Sequence, residues 1–290
     1  MLPKVTIGIP FFNNELTLIF AVKSVFAQSY QNWELILIDD GSSDNSLSII
    51  NSINDKRIKI ISDGMNKGLP SRLNQISFLA SGKYIARMDA DDMMHPHRLE
   101  KQVYYLEANP QIDIVSTAAY SIDEKNVPFG KRGNRKFKID PYNIMNNKVI
   151  FHPTVTGRIE WFINNLYNES YKRSQDLELW CRSYKNFSYA KLDEPLHFYR
   201  EINNFNIKKY LENCYFNRLI YQKYGPVLIG KKDTLILTIK SYLKGGIYKL
   251  STLFYLQNLL IKRRNTFLNT KEKDEALQIL EKVLSTAIPL

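Results

Sequence analysis

Over roughly the first hundred residues, the apolar and polar positions switch repeatedly between two periods. Lys4–Pro10 (KVTIGIP) is β-branched and apolar, whereas Glu15–Gln28 places Leu16, Ile19, Phe20, Val22, Val25 and Phe26 at mostly helical intervals. Trp33–Asp39 (WELILID), with its apolar run Leu35–Ile38, predicts a second buried-type strand. In the GSSDN that follows, Ser42 or Ser43 is placed to cap a helix carrying Leu47, Ile49 and Ile50. Ile58–Ile61 predicts a third strand, Leu69–Ala80 a helix and Lys83–Met88 a fourth strand. After the turn His95-Pro96-His97 another helix leads to a fifth strand at Ile112–Ser116. Apolar strands separated by single helices predict a parallel sheet covered on both faces.

From about Val115 to Pro153 the pattern weakens, and KRGNRKFKID reads as a basic loop or hairpin over the site. Tyr171–Tyr184 returns to helix, and beyond Asn203 helices with interleaved Tyr, Leu and Lys predominate. The expected organisation is a catalytic-type α/β unit over 1–204, divided at 118/119, followed by a basic helical region over 205–290.

Charge changes this picture at the C-terminal end. The net charge is +11, and residues 201–290 hold 15 Lys/Arg against 7 Asp/Glu. Such a region suits an anionic partner, and YKLSTLFYLQNLLIKRR is compatible with an amphipathic helix on an anionic membrane. Two cysteines, Cys181 and Cys214, offer neither a disulfide framework nor a metal-ligand pair. The opening MLPKVTIGIPFF reads as a strand and not as a leader, and no window reaches the roughly 18 uninterrupted apolar residues of a spanning helix. The expectation is a cytoplasmic protein able to sit peripherally on the inner face of the membrane. No nucleic-acid-binding motif accompanies the basic tail.

In parallel sheets ligands gather at the carboxyl ends of strands, and Pro10, Asp39-Asp40 and Asp89 all fall there. In RMDADD, two carboxylates spaced Asp-x-Asp can hold a hard divalent cation through oxygen ligands. The pair in IDDGSSD can accept hydrogen bonds from a base or a ribose. In MNKGLPSRLNQ, Asn66 and Gly68 permit close approach and Arg72 can reach base or phosphate oxygens. In SQDLELWCR, Asp176 and Glu178 are two apart on a helix and so diverge; one of them at a cleft mouth can act as a general base.

In IPFFNNELTLIFAVKSVFAQSYQNWELILIDDGSSDNS, then NKGLPSRLNQ, then ASGKYIARMDADDMMHPHRLEKQV, the chain resembles the large inverting family 2 glycosyltransferases. The resemblance is close over about 3–118 and looser over about 150–204. It implies the GT-A fold: a Rossmann-like, mostly parallel central sheet with helices on both faces, here with a helical C-terminal extension. It also implies a nucleotide-binding half at 1–118 and an acceptor-binding half at 119–204. Pro10, Asn13 and Glu15 would line the nucleoside pocket, and Asp39 or Asp40 with Arg72 would contact the base, near Asn66 and Gly68. Asp89, with Ala90, would serve the ribose or the metal, and Asp91 would ligate Mn²⁺ or Mg²⁺. Asp176 matches the general base, and His152, Tyr199 and Arg200 match elements near the donor diphosphate and the acceptor.

The implied reaction moves a sugar from a UDP-sugar to a saccharide acceptor; if the basic C-terminal region binds lipid, a lipid-linked acceptor in bacterial surface-polysaccharide assembly is the expectation. Two positions depart from the family pattern: Gln175 stands where Glu is usual, and Ile202 where the Tyr-Arg-x-His pattern has its histidine. Those departures keep open a second reading, a non-catalytic nucleotide-sugar or polysaccharide-binding module.

Overall fold

The computed structural model describes residues 2–134, 138–201, 206–254, 256, 260 and 263–289. Ile202, one of the two departures, lies outside the described residues.

The alternation of periods becomes structure with small shifts of boundary. Strand β1 (Val5–Phe11), helix α1 (Leu18–Phe26), β2 (Trp33–Asp39), α2 (Ser46–Asn51), β3 (Ile58–Ser62), α3 (Leu69–Leu79) and β4 (Tyr84–Arg87) follow in order. β3 and β4 flank the pair β2 and β1, all parallel, with Val5 opposite both Trp33 and Tyr84. Every residue of β1 is buried, because helices cover both faces of the sheet. Ile7, Leu35 and Leu37 pack with Leu18 and Val22 of α1 on one face, and Ile36 and Ile85 with Leu73 and Ile76 of α3 on the other.

Beyond β4 the sheet stops being parallel. β5 (Met93–Met94), α4 (Arg98–Ala108), β6 (Ile114–Ile122), β7 (Pro128–Arg132), α5 (Pro141–Met145), β8 (Thr156–Arg158), α6 (Ile159–Asn164), α7 (Gln175–Ser183) and β9 (Tyr189–Arg200) complete the α/β part. β8 pairs antiparallel with β4 and with β6; β6 pairs antiparallel with β7 and parallel with β9; β5 pairs antiparallel with β9. The expected mostly parallel sheet is therefore parallel in its first half and mixed in its second. The physical reason is β8: it lies between β4 and β6 and runs against both, so the β4 edge continues into an antiparallel ladder.

Two local expectations are corrected. Neither Ser42 nor Ser43 caps α2, which begins at Ser46 after Asn45. The polar run braces the neighbouring loop instead: the amides of Asn13, Asn14 and Glu15 donate to Ser42, Ser46 and Asp44 at 2.7–3.0 Å. The segment KRGNRKFKID begins inside β7, and its residues 135–137 lie outside the described ones.

The C-terminal region holds two long helices, α8 (Ile207–Leu228) and α9 (Gly230–Leu253), which pack on each other, with α8 also packed on α7. The chain then returns to the sheet. β10 (Thr266–Phe267) extends it beside β7, and the helix Thr270–Leu284 buries Ala276, Leu280 and Val283 against Met93, Tyr120, Ile122 and Phe198. A capping box between Asn269 and Glu272 starts that helix. No described helix is long and apolar enough to cross a membrane.

Candidate active site

β4 ends at Arg87, and the acidic run follows directly. Asp89, Asp91 and Asp92 bring one carboxylate oxygen each to within 4.8 Å of one another. Each is held differently. Asp89 is clamped by Arg87, through Nη1 at 2.9 Å and through a second, shorter contact with Nη2. Asp92 is buried, accepting from the Arg200 amide at 2.8 Å and facing His197 Nε2 at 2.9 Å. The other ring nitrogen of His197 lies 3.1 Å from Arg98 Nη1, which can only donate. The ring proton therefore sits on Nε2 and points at Asp92, and burial followed by Arg98 and Arg87 holds the imidazole well below its usual pKa. Asp91 is held more locally: its carbonyl accepts from Arg200 Nε, and its carboxylate accepts from its own backbone amide. Burial and then the charge of Asp89 push that carboxyl up to about 6. Three crowded carboxylate oxygen donors fit a hard divalent cation of the Mg²⁺ or Mn²⁺ kind.

A cleft of about 700 Å³ opens beside this run. Asp89 and Arg87 line its inner end, with His152, Gln175, Asp176 and Tyr199 around it. Asp176 is placed by α7, whose Leu177, Leu179 and Trp180 are buried and whose Trp180 stacks on Trp161 at 5.8 Å. Asp176 and Glu178 diverge as their spacing requires. Glu178 is buried and bonded to Arg182 (3.1 Å) and Tyr224 (2.6 Å), while Asp176 faces the cleft. Burial raises the Asp176 pKa; backbone amides of the helix start and Arg87 oppose the rise, and Asp89 adds to it. A carboxyl tuned upward beside open space is suited to accept a proton. His152 is buried, 2.8 Å from the Tyr167 hydroxyl, and held neutral by burial and then by Arg87.

The residues expected at the nucleoside end gather around the ends of β1, β2 and β3, outside the lining of that cleft. Pro10 is within β1, opposite Ile38. Asp39 accepts from the Ser42 amide (2.9 Å) and the Ser62 hydroxyl (2.8 Å). Asp40 accepts from the amides of Lys67 and Gly68 and from Arg72 Nε. Gly68 sits at φ 85°, a left-handed conformation that suits glycine, and its amide reaches Asp40 as a result. Asn13 and Glu15 are exposed or nearly so and bond across to Ser43 and Asn45, while Asn66 is exposed. Ala90 is buried between the two aspartates it separates.

Two expected contacts are redirected. Arg72 has no exposed side-chain surface; its nitrogens are spent on Asp40, Asp63 (2.7 Å), Gln75 and the Met65 carbonyl, so it fixes the loop instead of projecting into open space. Arg200 is buried and donates to Asp91 O, Asp123 O and the Asn126 side chain, tying the end of β9 to the acidic run. Sequence reading missed Asp92, His197, Arg87 and Arg98 as a connected set. Asp92 and Arg87 stood inside RMDADD and His197 inside HFYR, but their pairing across the sheet has no local signal. It also missed the outer end of the cleft, lined by Arg132, Lys172, Tyr210, Lys244, Tyr248 and Arg264.

A family model described as Glycosyl transferase family 2 matches residues 6–190. The chain belongs to glycosyl transferase family 2. EpsE of Bacillus subtilis is 38% identical over 208 residues, covering 69% of this chain and 73% of that protein. An uncharacterized glycosyltransferase of Haemophilus influenzae is 32% identical over 211 residues, covering 68% of this chain and 65% of its own length. Among solved structures, S. aureus TarS 1-349 in complex with UDP-GlcNAc aligns with a TM-score of 0.65 at 15% identity, over 98% of this chain and 81% of that one. The Pyrobaculum calidifontis mannosyltransferase PcManGT, in complex with GDP-Man and Mn²⁺, aligns with a TM-score of 0.59 at 12% identity, over 99% of this chain and 86% of that one. These likenesses establish the GT-A-like fold of this family 2 enzyme.

Proposed function

We propose that the chain is an inverting transferase that moves a sugar from a UDP-sugar to a saccharide acceptor. The carrying observation is that one cleft joins Asp89, beside the acidic run, to Asp176, a carboxylate with raised pKa. Asp91 and Asp89 would hold Mg²⁺ or Mn²⁺, which when bound offsets negative charge developing on the leaving diphosphate. In the reaction the acceptor hydroxyl oxygen bonds to the anomeric carbon as the bond from that carbon to the diphosphate oxygen breaks. The hydroxyl proton passes to Asp176, and the diphosphate leaves with the bonding electrons. One displacement with no enzyme nucleophile inverts the anomeric centre.

UDP is preferred as the nucleotide because the TarS complexes contain UDP and UDP-GlcNAc; GDP-mannose, bound by PcManGT, is the competing donor. The nucleoside is assigned to the loops carrying Asn13, Glu15, Asp39 and Asp40, which Arg72 and Gly68 hold in shape. A calorimetric titration with UDP, with and without Mg²⁺ or Mn²⁺, tests the donor site. We expect metal-dependent binding that Asp91→Ala weakens by at least about tenfold. Unchanged metal-dependent affinity in that variant would remove Asp91 from the site. Assaying UDP release across UDP-Glc, UDP-Gal and their N-acetyl forms separates a working transferase from a binding module, which would bind without turnover.

The C-terminal helices support a place on a membrane surface. α9 exposes Leu235, Ile239, Tyr242, Leu243, Ile247 and Leu250 at helical spacing, with Lys231, Lys232, Lys240 and Lys249 along the same helix. A lipid-linked acceptor in surface-polysaccharide assembly fits such a placement. Flotation with vesicles containing anionic lipid should carry the protein upward; equal flotation after Leu243→Asp and Ile247→Asp would dismiss this face.

A further inference from the structure

The outer end of the cleft has a charge pattern that the donor does not need. Arg132, Lys172, Arg173, Lys244 and Arg264 line it, whereas the carboxylates lining the cleft among the described residues are Asp89 and Asp176 at the inner end. Arg132 is paired with Glu201 at 2.6 Å and Arg173 with Glu212 at 3.6 Å. Lys172, Lys244 and Arg264 have no carboxylate partner among the described residues. Arg264 is oriented by the Tyr248 hydroxyl, to which its Nε and Nη2 donate at 2.8 and 2.5 Å; Tyr248 in turn packs on Tyr210 with ring centroids 4.1 Å apart. Asn213 and Asn217, one turn apart on α8, present amides to the same space. Beside them a pocket of about 130 Å³ adds Lys240 and Ser241 to the wall. The Lys244 ammonium is pushed below its usual pKa, first by desolvation, and Arg264, Lys148 and Lys240 push in the same direction.

Lys244 and Arg264 line the same cleft and repel each other, a cost that an anion between them relieves, and Lys172 adds a further cation to that lining. A site for neutral hydroxyls alone would gain nothing from that cost. One guanidinium suffices for a single carboxylate, whereas two ammonium groups and an oriented guanidinium suit a group with several acceptor oxygens and more than one negative charge. We propose that the acceptor is a saccharide bearing a phosphate group, with the phosphoryl oxygens on Lys244, Arg264 and Lys172 and the sugar hydroxyls on Asn213 and Asn217. This rests on the transferase reading, because it makes the outer cleft the acceptor's half of that site. The phosphate can belong to a monoester, a diester within a chain or a lipid diphosphate, and these share the chemistry that the cations recognise.

The test uses the full chain saturated with UDP and Mg²⁺, so that the donor site is filled, and titrates glucose 6-phosphate, glucose and glucuronate by calorimetry. Glucose 6-phosphate should bind at least about tenfold more tightly than either of the others, the worth of one or two charge-assisted hydrogen bonds. Lys244→Gln and Arg264→Gln should each remove most of that preference. The exposed Lys172→Gln, which disturbs no packing, should reduce it by a smaller factor. Glycerophosphoglycerol and geranyl diphosphate in place of glucose 6-phosphate then distinguish a diester and a lipid diphosphate from a monoester. Equal affinity for glucose 6-phosphate and glucose, equal affinity for glucuronate, or a preference unchanged in all three variants would overturn the proposal. If UDP itself fails to bind, the donor reading falls, and the same titration without UDP still decides the anion subsite.

Discussion

The two ends of the cleft are built from different material. The inner end follows strand ends: Asp89 and Asp91 come directly after β4, which is paired on both sides, and Asp92 is fixed from beneath by His197 and the Arg200 amide. The outer end is carried mostly by side chains of α8, α9 and loops, with Arg132 at the end of β7, several of them exposed and with long lysine and arginine stems. On the proposed reading, geometry that chemistry needs within fractions of an ångström is supported by the sheet, while the part that would fit a particular acceptor is left mostly to surface helices and loops. Sequence change at the outer end can therefore alter what is recognised without disturbing what is done to it.

This contrast can be broken most sharply at Asp176. Asp176→Asn should lower turnover by about 10²–10⁴-fold while metal-dependent UDP affinity persists. With Asp176 as the base, turnover in the unsubstituted enzyme should fall as pH drops through a pKa raised from that of a free aspartate, because the base must be unprotonated and burial raises its pKa. Steady-state UDP release from pH 4 to 8 is the measurement, and wild-type turnover by Asp176→Asn would return the base to another residue.

Next in size is the brace behind the nucleoside loops. Arg72→Met leaves the buried Asp40 without its guanidinium, and denaturant unfolding should show a loss of about 3–5 kcal/mol. His197→Ala leaves one oxygen of buried Asp92 without its donor, a cost of about 1–3 kcal/mol in the same measurement. It should also loosen metal-dependent UDP binding, which a purely scaffolding pair would not do. The smallest effect is expected on the other side of the comparison. Leu243→Asp on the exposed face of α9 should leave stability within about 0.5 kcal/mol. A loss as large as that at Arg72 would show that this face is packed and not open.

What was legible in the chain follows the same division. β1 to β4 were readable because each strand is a short, mainly apolar and β-branched or aromatic segment and the segments between them carry helical spacing; WELILID fell on β2 residue for residue. The positions of Asp89 and Asp91 after a strand and of Asp176 at a helix start follow from the sequence pattern, because those element ends fix where they stand. The antiparallel turn of the sheet was not, since β8 is three residues long and its pairing with β4 is decided by tertiary contact. The protein partners of Arg72 and Arg200 were hidden for a related reason. An arginine written beside a ligand loop can reach outward or turn back, and only the positions of Asp63, Asn126 and the backbone carbonyls decide which. The outer cleft was the least visible part, because Lys172, Lys244 and Arg264 are brought together by packing of helices that show little periodic contrast.

The short β8 has a consequence for how the protein is made. Until residues 156–158 have been synthesised, β4 lacks its partner on that side, and the parallel half presents an unsatisfied row of amides and carbonyls. At elongation rates of about 5–20 residues per second, the nascent chain carries that open edge for several seconds before it can close. A stalled or truncated product ending before Thr156 would thus be a template for strand addition by its neighbours.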